Sequence, residues 1–186
     1  MKTIAVFIDG ANMFFAQRAA GWHIDYSKVL GYFSRGLHLH GAYYYTATPP
    51  VGQTERVLKY RQFRKALINK GFTIKDKEVK VIQNRDGSVK LKGNLDIELV
   101  MDMIANRENY DIALLMGGDT DFVPVVNFLR SEGKKVICVG RRKSTGLELI
   151  NTASEFIDID DIRDHIEKRR SETKKKDGSH NDASRS

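Results

Sequence analysis

The stretch Ile4-Ala5-Val6-Phe7-Ile8-Asp9-Gly10-Ala11-Asn12 decides how the rest of the chain is read. An unbroken apolar run of this length, Thr3–Ile8, reads as a buried strand, and the segment that follows, Met13–Ala20, as a helix. The same rhythm then repeats. Helices are predicted over Asp25–Arg35, Gln53–Asn69, Leu95–Asn106, Phe122–Ser131, Leu147–Thr152 and Asp161–Arg169. Strands are predicted over Leu39–Thr46, Ile112–Met116, Lys135–Val139 and Phe156–Ile159, with Pro49-Pro50 ending the first of these. Gly71 stands where a helix C-cap belongs. Phe72–Gln83 and Ser88–Leu91 flank Asn84-Arg85-Asp86-Gly87, whose Asp-Gly is a hairpin turn signal. Alternating strands and helices with short connections indicate an α/β fold, its sheet mostly parallel and covered on both faces.

The 186 residues suit one domain, and the composition (41% hydrophobic, 30% charged) is that of a globular chain. We expect that domain to span residues 1–170. From Ser171 to Ser186 no large apolar residue occurs, so this segment is expected to be a disordered polar tail. The formal net charge is +7, nearly all of it outside the tail, which favours a polyanionic partner. The single cysteine, Cys138, excludes an internal disulfide and lies in an apolar run as a small hydrophobe. No apolar run approaches the roughly 20 residues that span a bilayer, and the N-terminus lacks a signal-peptide pattern. A cytoplasmic protein without membrane association is therefore expected.

Carboxylates interrupt the apolar runs at chosen places. Asp9 ends the first strand, on the side of an open parallel sheet where ligands bind; capping the next helix is its alternative role. Asp119 and Asp121 follow another strand in Met116-Gly117-Gly118-Asp119-Thr120-Asp121-Phe122, where two acids one residue apart repel unless a cation or donor lies between them. On a helical wheel Asp96 falls within the apolar arc of Val100, Met103, Leu99, Ile104 and Ile97, while Glu98 and Asp102 turn to the other side. An inward carboxylate needs a partner or a metal. Together Asp9, Asp96, Asp119 and Asp121 make a hard, oxygen-only set suited to Mg²⁺ or Mn²⁺. Beside a phosphodiester such ions activate water and stabilise the leaving oxygen.

These residues resemble the NYN domain family of the PIN-like nucleases, in its LabA-like (DUF88) branch. The resemblance rests on Phe7-Ile8-Asp9-Gly10-Ala11-Asn12, Lys92-Gly93-Asn94-Leu95-Asp96 and Gly118-Asp119-Thr120-Asp121-Phe122. A weaker piece joins Val139-Gly140, Ser144, Leu147, Ala153 and Phe156-Ile157. It implies a Rossmann-like (PIN-like) three-layer sandwich and metal-dependent hydrolysis of RNA. Under it Asp9, Asp96, Asp119 and Asp121 are catalytic, the first three being metal ligands, with Asn12 and Thr120 in support. Lys92 would neutralise phosphate charge near the metal. Gly117, where relatives often carry Ser, and Ser154, where an Asp is common, depart from the family pattern outside the acidic core.

Arg141-Arg142-Lys143 follows a strand on the same side of the sheet and is a candidate grip for substrate phosphates. His38 and His40 lack a third ligand nearby. Of Trp22, Phe14 and Phe15, which follow Asn12 and are able to stack on bases, the two phenylalanines are expected in the core. Asp158, Asp160 and Asp161 most simply cap the last helix. Missing G-x-G-x-x-G, G-x-x-x-x-G-K-[ST] and G-x-S-x-G patterns exclude dinucleotide, P-loop and nucleophile-elbow readings. Ala11 in place of a second Asp disfavours a haloacid-dehalogenase phosphatase. The sequence thus points to a ribonuclease acting on RNA, the alternative being an RNA-binding or regulatory NYN-domain protein that cleaves little; it leaves a homo-oligomer open.

Overall fold

The computed structural model describes residues 1–50, 52–78, 80–83, 89–92 and 94–169, with backbone alone for 80–83 and 89–92. Six parallel strands form one sheet: β1 (Thr3–Asp9), β2 (His38–Thr48), β3 (Thr73–Glu78), β6 (Ile112–Met116), β7 (Lys135–Gly140) and β8 (Glu155–Asp158). A separate antiparallel pair, β4 (Lys80–Gln83) with β5 (Val89–Lys92), sets Gln83 opposite Val89. The expected strand Phe72–Gln83 is therefore two strands with different partners. The Asp86-Gly87 turn lies outside the described residues, as does the segment 171–186.

The strand order β3-β2-β1-β6-β7-β8 places the start of the chain in the middle of the sheet. From β1 the chain winds outward through β2 and β3, then returns to add β6, β7 and β8 on the other side of β1. The reversal lies between β1 and β6, and in such sheets the crevice beyond the strands' carboxyl ends at that point is where ligands sit.

Period-two alternation sorts the side chains of β1 to two cores. Ile4, Val6 and Ile8 join one, with residues of α1 (Gly10–Ala20), α2 (Tyr26–Phe33), α3 (Thr54–Asn69) and α7 (Arg163–Ile166). Ala5 and Phe7 join the other, with α4 (Asp96–Ala105), α5 (Val123–Ser131) and α6 (Leu147–Thr152). Tyr44 and Tyr45 divide in the same way, one to each face. The result is a three-layer α/β sandwich, as expected. Cys138 is buried in the second core, where its surroundings push the thiol up to about 12. No helix among the described residues is long and apolar enough to cross a membrane.

The aromatic pair on α1 departs from expectation. Trp22 is buried and its indole N–H donates to Asp160 at 3.0 Å. Phe14 and Phe15 are 58% and 64% exposed. Met13 and Ala16 already fill the face of α1 that meets the sheet, so the intervening pair is turned outward. Asp158 and Asp160 do not cap α7, which is one turn long and lacks a side-chain cap. Asp158 accepts from the Arg142 amide, and Asp160 from Trp22 and Arg141, tying the end of β8 to its neighbours.

Candidate metal centre

Asp9 occupies the last position of β1, in register with Tyr45, and follows Ala5 and Phe7 on the α4 side of the sheet. Its carboxylate caps α1, accepting from the Asn12 amide at 3.0 Å. Capping and a place at the site are thus compatible rather than alternatives, and Asn12 supports Asp9 through its backbone. Gly10 is required here. A Cβ at that position would meet the Tyr44 ring at 2.5 Å and the Tyr45 carbonyl at 2.6 Å. Only glycine lets α1 start this close to β2.

Asp96 opens α4, the helix that closes the return from the β3 side. Leu99 and Met103 bury the helix against the second core, which holds Asp96 at the edge of that contact rather than in its centre. Asn94, two residues upstream, fixes it twice. The Asn94 side-chain oxygen Oδ1 accepts from the Asp96 backbone amide at 3.0 Å, and the Asn94 side-chain Nδ2 donates to the Asp96 carboxylate. Asn94 was given no role by the sequence; the signal for it is an Asx residue just before a helix that begins with an acid. The wheel was less accurate elsewhere. Ile97 is 77% exposed, and Asp102 faces the sheet, accepting from the Tyr45 hydroxyl at 2.8 Å and pairing with Lys75 at 3.3 Å.

Asp119 follows β6 and accepts from the Asp121 amide at 3.0 Å, closing a one-turn helix over Thr120–Phe122. Phe122 is fully buried and anchors that turn. Thr120 is exposed, its methyl directed at Gly146. The loop after β7 is joined to this one. The Gly146 amide donates to the Gly118 carbonyl at 2.9 Å, and a Cβ on Gly118 would crowd Ser144 and Thr145. Gly117 lies against Phe122 and Asp9, where a Cβ would stand 3.1 Å from the Phe122 ring and 3.6 Å from the Asp9 Cβ.

One carboxylate oxygen from each of Asp96, Asp119 and Asp121 lies within 4.8 Å of the other two. Asp9 borders this trio. Burial, with repulsion from Asp96 and Asp119, outweighs the Asn12 and Ala11 amides and pushes Asp9 up to about 6. Burial likewise raises Asp96, opposed by the Asn94 hydrogen bond and reinforced by Asp119, Asp121 and Glu98. Among the described residues no Lys or Arg side chain pairs with any of the four acids, although ten other ion pairs occur. Asp9, Asp96 and Asp119 are each held by a backbone or side-chain amide donor. A cluster of carboxylates with no basic partner among the described residues, two of them (Asp9 and Asp96) raised mainly by burial, is chemically matched to a hard divalent cation.

The remaining expected residues divide. Arg141 already pairs with Asp160 at 3.3 Å, and Arg142 lies 5.0 Å over the Phe156 ring, while Lys143 is exposed. The Lys92 side chain lies outside the described residues. His38 and His40 are exposed at the start of β2. Ser154 accepts from the Val136 amide at 3.1 Å, a structural bond.

A parallel sheet wound outward both ways from β1, with acids at the reversal, defines a PIN-like α/β domain. Residues 3–160 match the NYN domain model, and the chain belongs to the NYN domain family. It is 37% identical over 170 residues to the low amplitude and bright protein LabA of Synechococcus elongatus, covering 89% of this chain and 88% of that one. A crystal structure of a protein of unknown function from Vibrio parahaemolyticus superposes with a TM-score of 0.72 at 29% identity. That match covers 89% of this chain and 96% of the other.

Proposed function

We propose that this protein is a divalent-metal-dependent ribonuclease. The observation that carries the reading is the convergence of Asp96, Asp119 and Asp121 beside Asp9 without a basic partner among the described residues. Asp9, Asp96 and Asp119 would hold Mg²⁺ or Mn²⁺, with Asp121 completing the acidic wall. The ion supplies stabilisation of phosphate charge and activation of the attacking water. The chain's own part is to position. Asn12 and Asn94 fix the Asp9 and Asp96 carboxylates before substrate arrives, and the Asp121 amide does the same for Asp119. Lys143, exposed on the loop joined to that of Asp119, would be available to meet a phosphate. The domain proper spans 1–170, with the tail from Ser171 outside it.

The test is cleavage of labelled RNA with Mg²⁺ or Mn²⁺, comparing the parent with Asp96→Asn. Metal-dependent cleavage by the parent and its loss in the variant is the expected result. RNA binding without turnover under any metal would leave a binding or regulatory protein instead.

A further inference from the structure

Phe14 and Phe15 are adjacent, exposed, and five and six residues beyond Asp9. Leaving two phenyl rings largely in water forgoes hydrophobic stabilisation, and adjacent exposed aromatic rings beside a groove suit a contact surface. They form one wall of an open groove of about 1080 Å³ that begins at Gly10 and Ala11, next to the acidic site. Tyr60 and Phe63 of α3 form the facing wall, Phe63 being 39% exposed.

The groove's margins are basic. Lys59 stands on the α3 side, and Lys168 and Arg169 on the other, all exposed. α3 itself buries only Leu67 and carries five basic residues against the single acid Glu55, which Lys59 meets on the helix surface. A second groove, about 600 Å³, runs along the other flank of Phe15 between Asn12, Arg18 and Ser144. The exposed side of α1 is thus an aromatic ridge between two channels, both reaching residues that adjoin Asp9.

We propose that this groove seats unpaired nucleotides of single-stranded RNA, their bases stacking on Phe14, Phe15, Tyr60 and Phe63 and their phosphates meeting Lys59, Lys168 and Arg169. The assignment rests on the ribonuclease reading for its choice of RNA, and it adds the strandedness of the substrate. Aromatic faces combined with cations along an open channel are how single strands are held without sequence readout. Bases inside a duplex have no free faces to offer, so a helix would not use the ridge. A strand lying in the groove would pass its next phosphate to the acids.

The test uses the full chain in EDTA, so that binding is read without cleavage. Fluorescence anisotropy follows a short labelled single-stranded RNA and a duplex of equal length, for the parent and for Phe14→Ala/Phe15→Ala. Both positions are exposed, and a melting curve checks that the variant is folded. Single-strand affinity should fall about tenfold or more, with duplex affinity little changed. A 2-aminopurine base in the strand should be quenched by the parent and not by the variant. Equal single-strand binding by the two proteins overturns the proposal, as does a parent that prefers duplex. So does a dimer, seen in sedimentation, that the variant splits, because a second copy would then own the groove. Cleavage with Mg²⁺ is scored separately. Groove-dependent binding without cleavage keeps this proposal and removes the nuclease; cleavage with groove-independent binding does the reverse.

Discussion

Replacing Asp96 by Asn should make the metal-free protein more stable while removing its response to metal. Asp96 faces two carboxylates, those of Asp119 and Asp121, at no more than 4.8 Å. With water-like screening each pair costs about 1 kcal/mol by Coulomb's law, and physiological salt, with a Debye length of about 8 Å, roughly halves that. The solvent-exposed partners justify the water-like value. Asparagine keeps the shape and still accepts from Asn94, so the variant should gain about 1 kcal/mol, a rise of about 2–4 °C in Tm for a domain of this size. The parent should catch up when metal is added. A ligand at about 100 times its Kd contributes about 2.7 kcal/mol to the form that binds it, and the variant should forgo most of this. Thermal unfolding at pH 7.5, with EDTA and then with excess Mg²⁺ or Mn²⁺, should therefore give two rankings in opposite order. A variant less stable than the parent in EDTA, with an undiminished rise on adding metal, would refute both the repulsion and the assignment of Asp96 as a ligand.

Gly10→Ala should cost about 1–3 kcal/mol in urea unfolding, because its Cβ would run into the Tyr45 carbonyl as well as the Tyr44 ring. Leu99→Ala should lose about 2–5 kcal/mol, whereas Ile97→Ala, one of the most exposed apolar positions, should stay within about 0.5 kcal/mol. Asp25 is raised by partial burial but lowered more strongly by Lys70 and the Ser27 amide, so its folded pKa lies below the ordinary value. Its contribution is present above about pH 4 and is lost as pH falls through that lowered value. Asp25→Asn, which keeps a capping oxygen, should accordingly flatten the acid limb of the stability profile measured by denaturant titration.

The sheet was readable because its central strands β1, β6 and β7 are buried on both faces and appear as plain apolar runs, Ile112–Met116 most clearly. The break near residue 79 was not, since β3 and β4 are continuous in composition and differ only in what they pair with. Asp9, Asp96 and Asp119 stood out by interrupting apolar patterns. The roles of Asp102, Asp158 and Asp160 did not, because their partners Tyr45, Arg142 and Trp22 are remote in the chain. Phe14 and Phe15 misled for a different reason. α1 is apolar around most of its circumference, so periodicity cannot say which side is core, and only the identity of the covering helices decides it. Asn94 belongs to the Lys92–Asp96 motif, yet its bonds to Asp96 follow from the turn that opens α4 rather than from composition.

The central place of β1 has a consequence for the chain as it is made. Thr3 hydrogen-bonds to Asp111, 108 residues later, and β1 cannot acquire its β6 neighbour before that segment exists. At about 5–20 residues per second of synthesis, this wait lasts on the order of 5–20 s. During it Asp9 has neither Asp96 nor Asp119 beside it. The carboxylates meet only when the second half of the sheet docks, so the acidic centre cannot exist until most of the polypeptide has been made.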